Sequence, residues 1–200
     1  MIKTIIFDLG HVVIDFDWKP ALQKVMTACD ASPDEIYAYF TDPANDRLFV
    51  EGKISAGDFY EQIQAALGLR LSFEAFRAVY ADIFYPMPDV EAIIKKLEKK
   101  YTLGVLSNTN EIHFPYVMEK FPVLNYFDSF ILSYEEKTQK PHYEIYARAL
   151  EVLQSPPNKT VFIDDIQENV IAASQIGMRA IHFSSAEKLI ADLNRFGVSI

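Results

Sequence analysis

A single cysteine, Cys29, is all the thiol in 200 residues, which excludes an intrachain disulfide and any zinc site built on paired cysteines. It reads as a packing residue on a helix. No apolar run approaches the ~20 residues needed to span a bilayer, so no membrane partner is expected. The N-terminal residues lack the basic start, long apolar stretch and small-residue cleavage site of a secretory signal, and a cytoplasmic protein is the expectation. Positive charge is also scarce. The net charge of −9 argues against nucleic-acid binding, although a small phosphorylated ligand needs only local cations. Internal repeats and low-complexity tracts are missing too. What the chain has in quantity is apolar: half of it is hydrophobic and 14% aromatic, enough for a core at this length and too much for disorder.

The apolar residues are distributed in two periods. Short, nearly continuous runs ("TIIFDLG", "TLGVLSN", "SFILS", "TVFIDD", "RAIHFSS") read as buried strands, and the last four are separated by amphipathic segments ("EIHFPYVMEKF", "PHYEIYARALEVL", "QENVIAASQIG"), with "AEKLIADLNRF" closing the chain. That alternation predicts an α/β fold, a doubly wound parallel sheet covered by helices on both faces. Between the first strand and about Tyr101 the alternation stops, and the chain offers only helical segments: "KPALQKVMTACD", "SPDEIYAYF", "SAGDFYEQIQAALG", "SFEAFRAVYADIF" and "PDVEAIIKKLEKK". "SPDE" and "SAGD" carry the serine-to-acid spacing of a capping box. The last of these segments crosses back to the sheet. The other four predict an all-α insertion over residues 17–86, within a core made of 1–16 and 87–200, with prolines at both joints.

The first strand poses a question, because it runs straight into a carboxylate, Asp8. Burying a carboxylate costs several kcal/mol or more unless cations or donors meet it. In parallel α/β sheets ligands bind beyond the carboxyl ends of the strands. At those ends stand Asp8-Leu9-Gly10-His11, Ser107-Asn108-Thr109-Asn110 and Asp164-Asp165, with Glu168 and Asn169 opening the next helix and Lys140-Pro141 just ahead of another. Three carboxylates, a lysine and hydroxyl or amide donors on one rim match the needs of Mg²⁺-assisted phosphoryl transfer.

Those four stations, "FDLG", "LSNTN", "KP" and "IDD", resemble in order and placement the haloacid dehalogenase superfamily, in its sugar-phosphatase-like branch. The helical insertion resembles that family's cap, and "FVEGKISAGDFYEQI" its turn-and-helix over the active site. The resemblance implies a Rossmann-like core, Mg²⁺ as cofactor and a small phosphorylated metabolite, a sugar phosphate first, as substrate. It implies Asp8 as nucleophile and metal ligand, the Gly10 carbonyl, Asp164 and Asp165 as further metal ligands, Ser107 and Asn108 as phosphoryl-binding groups, Lys140 as their electrostatic partner, and Asn169 as an ordering residue. Lys137 is a rival for the lysine role, but only Lys140 stands in "KP". A monomer is compatible with all of this.

One departure matters. Phosphatases of the family usually carry an acid–base aspartate two residues after the nucleophile, where this chain has Gly10. General acid–base catalysis contributes typically 10²–10⁴-fold. A substrate with a good leaving group, a cap residue, or His11, Asp15 or Asp17 could make up the loss. Alternatively the protein binds phosphate with little turnover, or it is a metal-independent 2-haloacid dehalogenase. Against the last stands the intact pair Asp164-Asp165. Arg47, Glu51 and Lys53 read as exposed charges of the insertion, and Trp18 as a contact between insertion and core.

Overall fold

The computed structural model describes residues 1–200. The chain runs through β1 (Thr4–Phe7), β2 (Ile14–Phe16), α1 (Lys19–Met26), α2 (Pro33–Thr41), α3 (Pro43–Val50), α4 (Ala56–Leu67), α5 (Phe73–Ala81) and β3 (Phe84–Pro86). It continues as α6 (Pro88–Leu97), β4 (Thr102–Ser107), α7 (His113–Lys120), β5 (Ser129–Leu132), α8 (Ser133–Glu136), α9 (Tyr143–Val152), β6 (Thr160–Asp164), α10 (Gln167–Gln175), β7 (Arg179–His182) and α11 (Ala186–Arg195).

Five strands form one parallel sheet in the order β5-β4-β1-β6-β7, as the alternation predicts. Period-two geometry sends alternate side chains to opposite faces. Ile5, Phe7, Val105 and Ile163 pack into the larger core with α6, α7 and α11, while Ile6, Leu106 and Phe162 pack beneath α9. β1 lies at the centre with β4 on one side and β6 on the other, so the loops leaving all three open into one crevice.

The helices α1–α5 have a core of their own, including Leu22, Ile36, Phe49, Phe59, Ile63 and Phe76, with Phe49 and Phe59 stacked at 4.5 Å. Both expected capping boxes form, Ser32 with Glu35 and Ser55 with Asp58. Cys29 packs in the same core. Two features differ from the sequence expectation. The insertion holds five helices, because "DPANDRLFV" winds into α3 with the Asp42 side chain accepting the Ala44 N–H at 2.9 Å. The segment read as one helix through "YADIF" stops at Ala81, and Phe84–Pro86 pairs antiparallel with Ile14–Phe16. Three-residue strands carry too little pattern to be separated from a helix end by period alone.

Candidate active site

Asp8 sits one residue beyond β1, and Lys140 supplies the positive partner its burial demands. Lys140 Nζ lies 2.7 Å from Asp8 Oδ1 and 2.7 Å from Asp164 Oδ2, with all three residues buried. The Leu9 N–H donates to Asp8 Oδ1 at 2.6 Å. Asp164 ends β6 and is wholly enclosed. Its Oδ1 accepts the Ile166 N–H at 2.8 Å, and the Asn169 amide lies 3.1 Å from both of its oxygens. Asn169 therefore orders Asp164 from the first turn of α10. Asp165 is half-buried, and one oxygen from each of Asp8, Asp164 and Asp165 lies within 4.8 Å of the others.

The charges do not balance within this group. Burial pushes the Asp8 carboxyl up to about 7, against the pull of Lys140 and with the repulsion of Asp164. Burial also raises Asp165, and Asp164 adds to the effect. Burial pulls Lys140 down, yet Asp8 and Asp164 hold it above its ordinary range. Three carboxylates thus face one ammonium. Oxygens on opposite sides of an octahedral Mg²⁺ stand about 4.2 Å apart, from bonds of 2.0–2.1 Å. An all-oxygen set this close, carrying two surplus negative charges when fully ionised, fits a small hard divalent cation.

On the other side of the crevice Ser107 ends β4, buried, and faces a cavity of about 230 Å³ together with Gly10, Asn108 and Thr109. The Asn108 side chain is committed to the chain near Lys140: its amide donates to the Lys140 carbonyl at 3.0 Å and its Oδ1 accepts the Lys140 N–H at 2.8 Å. It fixes the lysine loop, and only its backbone faces other tasks. Asn110 Oδ1 accepts the N–H groups of Ile112 and His113, each at 3.0 Å, and starts α7. Lys137 is excluded as a rival to Lys140, since its Nζ donates to the Gly52 carbonyl at 2.6 Å, away from the carboxylates.

The substitutes for the missing acid are less well placed. His11 lies against the Phe16 ring at 4.0 Å, its Nδ1 2.6 Å from Asp15 Oδ1, and none of His11, Asp15 and Asp17 lines the cavity. At Gly10 a Cβ would stand 2.7 Å from Phe16 Cε1, so the Phe16 ring fills the room an acid side chain would need.

The roof of the cavity comes from the insertion and its joints: Trp18, Asp46, Val50 and Tyr80, with Phe16 and Phe84 of the β2–β3 ribbon. Trp18 packs on Tyr80 at 5.2 Å and on His113 of α7 at 5.3 Å, joining insertion to core as expected. His113 is buried, its Nδ1 3.1 Å from the Asn110 amide and its Nε2 3.0 Å from the Tyr80 carbonyl. That pairing places the proton on Nε2, and burial depresses the ring to about 4. Further joints run from α3 to α8 and from the start of α4 to the loop before α7. Ser133 Oγ lies 2.7 Å from the Val50 carbonyl, and Glu111 takes the Ala56 N–H. Glu51, read as exposed, is buried with Lys53 Nζ 2.6 Å from its Oε2. Asp46 escaped the sequence reading altogether because it stands on the helix that reading missed. The Asp42-Pro43 pair, an N-cap followed by proline at the first helical position, was the signal available.

Comparison with known proteins bears on this geometry. The family described as haloacid dehalogenase-like hydrolase matches residues 2–177. A D-ribitol-5-phosphate phosphatase from Bacteroides thetaiotaomicron is 30% identical over 88% of this chain and 89% of its own. A sesquiterpene phosphatase from Aspergillus oryzae is 27% identical over 92% and 91%. Among solved structures, a HAD family enzyme from Bacteroides thetaiotaomicron in complex with magnesium and inorganic phosphate is 27% identical. It covers 92% of this chain and 95% of its own, with a TM-score of 0.82.

Proposed function

This chain belongs to the haloacid dehalogenase-like hydrolases and is one of their phosphoric monoester hydrolases, and from that premise we propose a Mg²⁺-dependent phosphatase of small sugar or sugar-alcohol phosphates. The observation that carries the reading is the Asp8–Lys140–Asp164 constellation, with Asp165 beside it, next to a small roofed cavity that Leu9 and Gly10, the residues after Asp8, and Asn108, which clamps Lys140, help to line. At about 230 Å³ the cavity lies below the ~300–1,000 Å³ typical of drug-sized ligands, which favours a small metabolite. Its aromatic walls and the Asp46 carboxyl suit the mixed faces of a polyol.

In this reading Asp8, Asp164, Asp165 and the Gly10 carbonyl hold the cation, which when bound screens the charge of substrate and nucleophile. Asp8 attacks phosphorus to give an aspartyl-phosphate, which water then hydrolyses. Lys140 keeps Asp8 ionised and oriented, and its charge offsets that building on the phosphoryl oxygens. Ser107 and the backbone N–H of Asn108 receive the phosphoryl group, while the Thr109 N–H is held by Ser133 Oγ at 2.9 Å. Asn108 keeps Lys140 in register and Asn169 does the same for Asp164. The unit over residues 17–86 acts as a lid that keeps bulk water from the reacting atoms. The two relatives described above are phosphatases, which favours this reading over a non-turnover phosphate binder or a dehalogenase.

Phosphate release from a panel of pentose, hexose and sugar-alcohol phosphates, with p-nitrophenyl phosphate as generic ester, tests the proposal. Turnover should require added Mg²⁺, stop with EDTA and vanish in Asp8→Asn. No release from any ester, or release indifferent to EDTA, would overturn it.

A further inference from the structure

Gly10 leaves the reaction without its usual proton carrier, and the Phe16 ring occupies the space that a side chain at this position would need. The cavity between Gly10, Ser107 and the helical unit holds three titratable side chains: Asp46, Tyr80 and His113. His113 has both nitrogens engaged and is held neutral. Tyr80, buried beneath the same roof, keeps its proton well above the ordinary phenol range. Lys140 is locked between Asp8 and Asp164. Only Asp46 remains.

Its setting suits the task. Asp46 is half-buried on α3, a helix tied to the core through the Val50 carbonyl and Ser133 Oγ. No lysine or arginine pairs with it. The groups that face it are Asp42 on its own helix, Tyr39 of α2 and Tyr80 of α5. Burial, with the charge of Asp42 added, pushes its carboxyl up to about 6, where both protonation states are available near neutrality.

We infer that Asp46, reaching down from the helical unit, is the general acid and base of this phosphatase. The inference rests on the proposed function above. As the phosphorus–oxygen bond to the alcohol breaks and the bond to Asp8 forms, the Asp46 carboxyl gives its proton to the departing oxygen. The resulting carboxylate takes a proton from the water that attacks the aspartyl-phosphate. Phosphate leaves, Asp8 is regenerated as carboxylate, and Asp46 is again protonated. Substrate binding and acid–base chemistry are thereby joined at one helix, which the contact of the Val50 carbonyl with Ser133 Oγ holds over the site.

Two aryl esters and rapid mixing test this, with the full chain and Mg²⁺ present. Phenol leaves with a pKa near that of tyrosine, about 10, and needs the proton, whereas p-nitrophenol is a much better leaving group. In Asp46→Asn, phenyl phosphate turnover should fall by about 10²-fold or more. With p-nitrophenyl phosphate the same variant should give a burst of one nitrophenol per active site, followed by a slow steady state, because phosphorylation survives while hydrolysis of the aspartyl-phosphate lacks its base. Asp46→Glu, which retains a carboxyl, should recover a measurable part of phenyl phosphate turnover. Asparagine and glutamate variants equal to wild type on both esters, or an Asp46→Asn effect confined to KM, would overturn the inference. A wild-type protein inactive on every ester would instead overturn the phosphatase reading itself.

Discussion

Gly10 and Phe16 can be tested as a pair, because the structure makes one the reason for the other. The Gly10 backbone is not in the left-handed region, so the chain itself would accept a side chain there. A Cβ, however, would meet Phe16 Cε1 at 2.7 Å and Cδ1 at 3.3 Å, where carbon atoms settle at about 3.5–4.0 Å. The ring would have to retreat by about 1 Å. It is hemmed in by the His11 ring at 4.0 Å and Phe84 at 6.0 Å. Overpacking of this kind costs about 1–3 kcal/mol, and loss of glycine's freedom in the unfolded chain returns about 0.4–1 kcal/mol. Gly10→Ala should therefore destabilise the protein by about 1–2 kcal/mol. Phe16→Ala removes the obstacle, so the double variant should be more stable than the sum of the two single changes predicts, by a similar amount. Urea unfolding of the four proteins reads the coupling directly. A Gly10→Ala protein as stable as wild type, or effects that add to within about 0.5 kcal/mol, would refute the view that Phe16 closes this position.

Other consequences can be checked alongside. Lys140→Ala leaves Asp8 and Asp164 buried with no counter-charge and should cost about 3–5 kcal/mol in urea unfolding without divalent cations. His113 titrates at about 4 in the fold against 6.5 in the open chain, so below pH 6.5 the unfolded state takes up the proton first. Stability should thus fall as pH drops from 6.5 towards 4, by about 3 kcal/mol in all, and His113→Gln should flatten that part of the melting-temperature profile. Gly52 lies at φ +59° with its missing Cβ directed into the Tyr134 carbonyl, so Gly52→Ala should cost about 2–3 kcal/mol and speed hydrogen exchange across the α3–α4 turn.

Much of the site was legible because its residues sit at strand ends, and strand ends are set by local period. Asp8, Ser107 and Asp164 each fall where an apolar run stops, and the sheet order then brings them together. Lys140 was legible from its neighbour Pro141 and its place before α9. The use of Asn108 was not, since an amide that clamps the backbone 32 positions away leaves no local trace. The five strands were found and the two-stranded ribbon was missed, for the same reason: the former are apolar runs and the latter is three residues on each side. The burial of Glu51 was not legible because tertiary packing, and not its own neighbours in sequence, decides it, whereas Asp46 went with the unrecognised helix α3.

The small ribbon of Ile14–Phe16 with Phe84–Pro86 also bears on assembly of the whole chain. The central strand must find a partner roughly a hundred residues away, Thr4 beside Thr102. If the ribbon zips first, the intervening helices become a side branch and the stretch left to close shrinks to some two dozen residues. The entropy of loop closure grows as the logarithm of length, so this shortcut is worth about 1 kcal/mol to pairing of the sheet. A pair of three-residue strands can thus act as a splice for the scaffold, and it leaves the helices between them free to diverge without slowing the formation of the sheet beneath.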